Sequence, residues 1–122
     1  MKFKGICLIT KDVYQLKNFY QHILPVEIEE DSDDFAKFLI NGFELSICSS
    51  KVMEIMAPDS IDNAGFGSYT MEIEVDDVDQ EYEKLIAKQV PIVKPPTTQS
   101  WGIRSVWFRD PDGNIINFHV KI

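Results

Sequence analysis

Basic residues are scarce in this 122-residue chain: 12 Lys and Arg stand against 20 Asp and Glu, for a net charge of -8. Such a balance repels phosphate, so no nucleic-acid partner is expected. Long apolar runs are missing as well. None approaches the ~20 residues that cross a bilayer, and no membrane association is expected. The N-terminal MKFKGICLITKD has no small-residue cleavage site, so no secretory leader is expected either. Cysteine is limited to Cys7 and Cys48, which is not a disulfide framework. A reducing, cytoplasmic setting is the expectation. The rest is an ordinary globular mix, 44% apolar and 26% charged. At this length one domain is expected, burying roughly two-thirds of its surface on folding.

The acidity is localised. The stretch EIEEDSDD, residues 27–34, carries six of the acids. It reads as a solvated turn between strands, with an acidic rim that attracts cations as the functional alternative.

The chain repeats itself once. At an offset of 65, Gly5 pairs with Thr70, Ile6 with Met71, Leu8 with Ile73, Asp12 with Asp77, Val13 with Val78 and Gln15 with Gln80. One inserted residue then raises the offset to 66, matching Leu16 with Tyr82, Phe19 with Leu85, Tyr20 with Ile86 and Pro25 with Pro91. Each copy opens with a period-2 strand, Ile6 and Leu8 in the first and Met71, Ile73 and Val75 in the second. Asp12 with Gln15, and Asp77 with Gln80, then mark helix starts with an acidic cap. One-sided stripes follow: Val13, Leu16, Phe19, Tyr20 and Ile23, then Val78, Tyr82, Leu85 and Ile86.

Three strands are expected after each helix, near 25–30, 35–41 and 43–49, and near 91–94, 103–109 and 114–121. The last hairpin is the clearest. Asp110-Pro111-Asp112-Gly113 suits a type I turn with a Gly bulge, and alternating strands flank it. The reading is an α+β chain of two βαβββ modules, about 1–49 and 69–122. Residues 50–68 join them as a linker holding Pro58, Gly65 and Gly67, with Met53, Ile55 and Met56 as an apolar cluster. That cluster reads either as packing, over the open sheet face or at a dimer contact, or as plain linker.

Two such units ending in WGIRSVWFRDPDGN (101–114), supported by VDDVD (75–79) and FYQHIL (19–24), resemble the vicinal oxygen chelate superfamily. That group holds glyoxalase I, extradiol dioxygenases, the fosfomycin- and bleomycin-resistance proteins and methylmalonyl-CoA epimerase. The resemblance implies an incomplete barrel with a concave ligand-binding face, and pairing of two chains in a homodimer. It does not by itself imply one activity. Metal-using members carry ligands at four positions. Carried over by resemblance, these fall here on Gly5, Glu44, Thr70 and Asn117. Glycine offers no donor, and Thr and Asn are weak neutral donors for transition metals. No metal and no cofactor are expected.

Strand parity places Cys7, Glu44, Ser46, Cys48, Glu72, Glu74, Trp107, Asn117 and His119 on the face away from the helices. Trp101 falls just before a strand, at the mouth. Aromatic rings and carboxylates favour a flat or cationic ligand. The ligand-binding candidates are therefore Glu44, Glu72, Trp101, Trp107, Asn117 and His119, with ordinary packing as the alternative for each tryptophan and a pocket-lining role for His119. The cysteines read as small fillers, with a disulfide between them left open. Arg104 is expected on the helix side, and Arg109 against Asp110 or Asp112 at the turn. His22 suits the negative end of the first helix. The expected function is metal-independent small-molecule binding, nearest in pattern to the bleomycin-resistance branch, with sequestration of a cationic or aromatic compound such as an antibiotic. The alternative is a lyase, isomerase or dioxygenase with a rearranged metal site, with Glu44 or Glu72 as base or His119 as ligand. A regulatory module with a vestigial pocket is the third.

Overall fold

In the first half, alternation, an acidic cap and an apolar helix stripe follow one another as strand, helix and three strands. The computed structural model describes residues 1–65 and 68–122; Gly67 of the connecting segment lies outside the described residues. The chain divides into two units, Met1–Ala64 and Gly65–Ile122.

The first unit runs β1 (Gly5–Thr10), α1 (Val13–Ile23), β2 (Ile28–Asp31), β3 (Phe35–Ile40), β4 (Phe43–Ser49) and α2 (Ser50–Met56). Its four strands form one sheet in the order β1-β4-β3-β2. β1 and β4 are parallel, and the other neighbours antiparallel. The Asp12 side chain accepts from the Gln15 N–H at 3.0 Å and caps α1, satisfying a donor that the helix itself leaves open. Val13, Leu16 and Tyr20 of the stripe are buried with Ala36, Phe38, Leu45 and Ile47 of the sheet. Asn41 and Gly42 both have positive φ, 49° and 82°. They form the two-residue turn that sets Ile40 opposite Phe43.

The second unit repeats the plan: β5 (Thr70–Glu74), α3 (Val78–Ala87), β6 (Ile92–Thr98), β7 (Ile103–Arg109) and β8 (Ile115–Lys121), in the sheet order β5-β8-β7-β6. Asp77 caps α3 as Asp12 caps α1, accepting from the Gln80 N–H at 3.0 Å. Val78 and Leu85 pack with Met71, Val106, Phe108, Ile116 and Phe118. The two phenylalanine rings meet edge to face, 4.9 Å between centroids. Among the described residues neither sheet closes on itself, and no helix is long and apolar enough to cross a membrane.

Three expectations change. Residues 50–56 are a helix, not a plain connection. Ser49 caps it, accepting from the Val52 N–H at 3.1 Å, and it packs on β4 and β1. Ile55 and Met56 nonetheless remain exposed. Strand β6 does not stop at Lys94 but runs through Pro95 and Pro96 to Thr98. Among the described residues it is an outer strand, and its register against β7 is irregular over that stretch, which accommodates two residues without an N–H. Ile86 is exposed rather than part of the buried stripe. It lies about 100° around the helix from Leu85, at the edge of the packed face.

Candidate functional site

Two ion pairs fix which side of each sheet faces a helix. Lys17 of α1 reaches Asp31 of β2 at 2.8 Å, and Asp31 is in register with Ala36. Arg104 of β7 grips Asp79 of α3 with two nitrogens, at 2.8 and 2.6 Å, as the sequence placed it. The positions alternating with Ala36 and Arg104 therefore form the opposite faces.

On the opposite face of the first sheet, register sets Glu44 between Gly5 and Leu39, Ser46 between Cys7 and Lys37, and Cys48 between Ile9 and Phe35. On that of the second, Ile115 lies between Thr70 and Arg109, Asn117 between Glu72 and Trp107, and His119 between Glu74 and Ser105. So the second unit brings four candidates together in two adjacent rows, Glu72-Asn117-Trp107 and Glu74-His119-Ser105. Trp101 stands apart on the β6–β7 loop, 72% exposed. Glu44 lies in the first unit, paired with Lys4 at 3.6 Å and Lys37 at 3.9 Å.

Asn117 is the unusual member. It is only 5% exposed, yet its Oδ1 has no hydrogen-bond partner among the described residues. A buried amide oxygen left open costs about 1–3 kcal/mol, a cost that a ligand donor would remove.

Lys37 is a polar residue the sequence reading missed. Its ammonium lies 3.3 Å from Glu30. The hydrogen bond to Glu30, with Glu44 and Glu29 nearby, raises its pKa against the opposing effect of desolvation. The signal was available: in FAKFLI the buried Ala36 and Phe38 alternate with Phe35, Lys37 and Leu39.

The β7–β8 turn supports one end of the second face. The Gly113 N–H bonds to the Asp110 carbonyl at 3.0 Å, and Gly113 has φ 89°, the expected turn and bulge. Asp110 is buried and accepts from the Asp112 and Asn114 N–H groups and from Asn114 Nδ2, all within 2.8–2.9 Å. Arg109 donates to the Gly113 carbonyl at 2.8 Å, where the sequence led to an expected pairing with Asp110 or Asp112. The Tyr69 hydroxyl donates to Asn114 Oδ1 at 3.3 Å. Burial pushes its pKa up, and Asp110 and Asp112 add to the effect.

The four positions that would hold a metal do not fit one. A Cβ on Gly5 would lie 1.8 Å from the Glu44 carbonyl oxygen, so no ligating side chain fits there without moving a strand. Thr70 and Asn117 supply only neutral oxygens. Glu44 is also out of step. Gly5 and Thr70 are repeat partners, and their β4 and β8 neighbours are Glu44 and Ile115. The counterpart of Asn117 is therefore Ser46. Among the described residues, no three His, Cys, Asp or Glu side chains gather to hold an ion.

The arrangement matches known proteins. The model for a glyoxalase-like domain fits residues 3–120, so the chain belongs to that family and to the vicinal oxygen chelate superfamily it resembles. A Bacillus subtilis protein, the uncharacterised YraH, is 29% identical over 125 residues, covering 98% of each chain. The metallothiol transferase FosB of Staphylococcus saprophyticus is 27% identical over 110 residues, covering 90% of this chain and 70% of its own. A crystal structure of a glyoxalase/bleomycin resistance protein/dioxygenase family enzyme from Burkholderia phytofirmans superposes with a TM-score of 0.87 at 17% identity, covering 98% of both chains.

Proposed function

We propose that this family member binds a small molecule without a metal, on the face carrying Glu72, Trp107, Asn117 and His119. The exposed Trp101 is proposed as an outlying contact of that face, and Glu44 as a ligand contact on the first unit's own sheet. The observation that carries the reading is the close approach at Gly5, which removes the first ligand position altogether. Sequestration needs no catalytic group, and an indole and a carboxylate on strands either side of an open amide oxygen suit a cationic or aromatic compound, an antibiotic being one such ligand. A homodimer in the cytoplasm is part of the same proposal.

The test is elemental analysis of dialysed, untagged protein, followed by a thermal-shift screen of cationic and aromatic compounds. The expected result is no stoichiometric transition metal and a saturable shift, since a ligand at a hundred times its Kd stabilises by about 2.7 kcal/mol. Near-stoichiometric zinc, nickel, iron or manganese would overturn the reading. It would favour the second one, a lyase, isomerase or dioxygenase with a rearranged metal site. In that reading's favour, Glu74 and His119 are in register on neighbouring strands, and the Staphylococcus relative is named as an enzyme.

A further inference from the structure

Neither cysteine takes part in the proposed ligand face, yet register sets them together. Cys7 lies opposite Ser46, and Cys48 lies opposite Ile9 on the neighbouring strand. The two side chains are thus diagonal neighbours on the same face of the β1–β4 pair, the face turned away from α1. Both are free thiols, and they differ in access: Cys7 is exposed, whereas Cys48 is 2% exposed.

We propose that Cys7 and Cys48 form an oxidisable thiol pair that a hydroperoxide closes to an intramolecular disulfide. The exposed sulfur meets the oxidant first. The Cys7 thiolate attacks a peroxide oxygen, an S–O bond forms, the O–O bond breaks, and water or an alcohol leaves. The Cys48 sulfur then attacks the Cys7 sulfenic acid. An S–S bond forms, the S–O bond breaks, and the departing hydroxide leaves as water with the Cys48 proton. Two electrons pass from the sulfurs to the peroxide.

The setting of Cys48 supports this order. Burial raises its pKa, and the neighbouring Cys7 and Asp34 raise it further. Cys48 stays a protonated, shielded thiol until its neighbour has been activated. The closed bond would tie the outer strand β1 to β4 one row from Gly5. This inference is independent of the ligand reading, and its test needs no ligand.

The experiment treats the reduced, full-length native protein with a small excess of hydrogen peroxide and alkylates it under denaturing conditions. Intact and peptide masses are then measured. The expected product has lost two hydrogens and takes up no alkyl group, and the two cysteine peptides run as one until reduced. C48S should instead give a Cys7 sulfenic acid that dimedone traps. C7S should keep Cys48 reduced while native. A circular dichroism spectrum of each variant matching wild type establishes that all three are folded. The proposal is overturned if Cys48 is recovered as a free thiol while Cys7 has become a sulfinic acid or a link to a second chain. It is equally overturned if neither thiol reacts.

Discussion

Gly5 and Glu44 approach so closely across the parallel β1–β4 pair that a methyl group on Gly5 would fall inside the Glu44 carbonyl oxygen. The obstructing atom is backbone, so a side-chain rotation cannot relieve it. Gly5→Ala should lower the unfolding free energy by about 3 kcal/mol or more, the upper range for overpacking. Gly65→Ala, where nothing lies within 4 Å of the added carbon, should stay within about 0.5 kcal/mol of wild type. Urea unfolding of the two variants checks the contrast.

The Arg104–Asp79 pair gives a prediction in pH. The hydrogen bond from Arg104 lowers the pKa of Asp79, with the guanidinium charge adding to it. A carboxyl depressed on folding contributes stability above its unfolded value, and that contribution is lost as pH falls through the folded value. NMR titration should find Asp79 ionised below the ordinary Asp range near 3.9. In R104Q it should return toward that range. The stability gap between R104Q and wild type should be present at pH 7 and close as pH falls below the wild-type Asp79 value.

Asp110 is buried and serves two backbone N–H groups and the Asn114 amide. Asp110→Ala leaves those donors without a partner, at about 1–3 kcal/mol for each that stays buried. A loss of about 3 kcal/mol is expected by denaturant titration, with Asp110→Asn less damaging because one acceptor oxygen survives.

Asn117 should behave in the opposite way. Its open Oδ1 means that Asn117→Leu, similar in size, removes an unsatisfied group rather than a bond. Ligand-free stability should hold or rise by about 1 kcal/mol. Affinity for a compound found in the screen should fall at least about tenfold, the equivalent of 1.4 kcal/mol. Calorimetry of both proteins reads the two effects separately.

Most of the architecture was legible because its signals are local. Asp12 and Asp77 cap where their spacing to Gln15 and Gln80 predicted, and the Asp110–Gly113 turn closes as its residue order requires. The helix Ser50–Met56 was not legible. Seven residues hold too few turns for a period to show. Pro95 and Pro96 hid the end of β6, since only the strand order reveals that it is an outer strand. Parity alone sorted Glu72, Trp107, Asn117 and His119 onto one face. It could not supply the stagger between strands, which tertiary pairing sets. That stagger makes Ser46 rather than Glu44 the counterpart of Asn117, and it puts Lys37 in the place that Trp107 holds in the other repeat.

The paired prolines of β6 have one more effect. Pro95 and Pro96 lie in a strand with one hydrogen-bonded neighbour among the described residues, and neither carries an N–H. A foreign strand laid along that border meets an irregular spacing and a missing donor, because successive residues of a strand turn their N–H groups to opposite sides. At the border of the other sheet, β2 exposes Glu29, Glu30 and Asp31, and like charge repels a second copy. Each sheet thus has one border that disfavours pairing with a further strand.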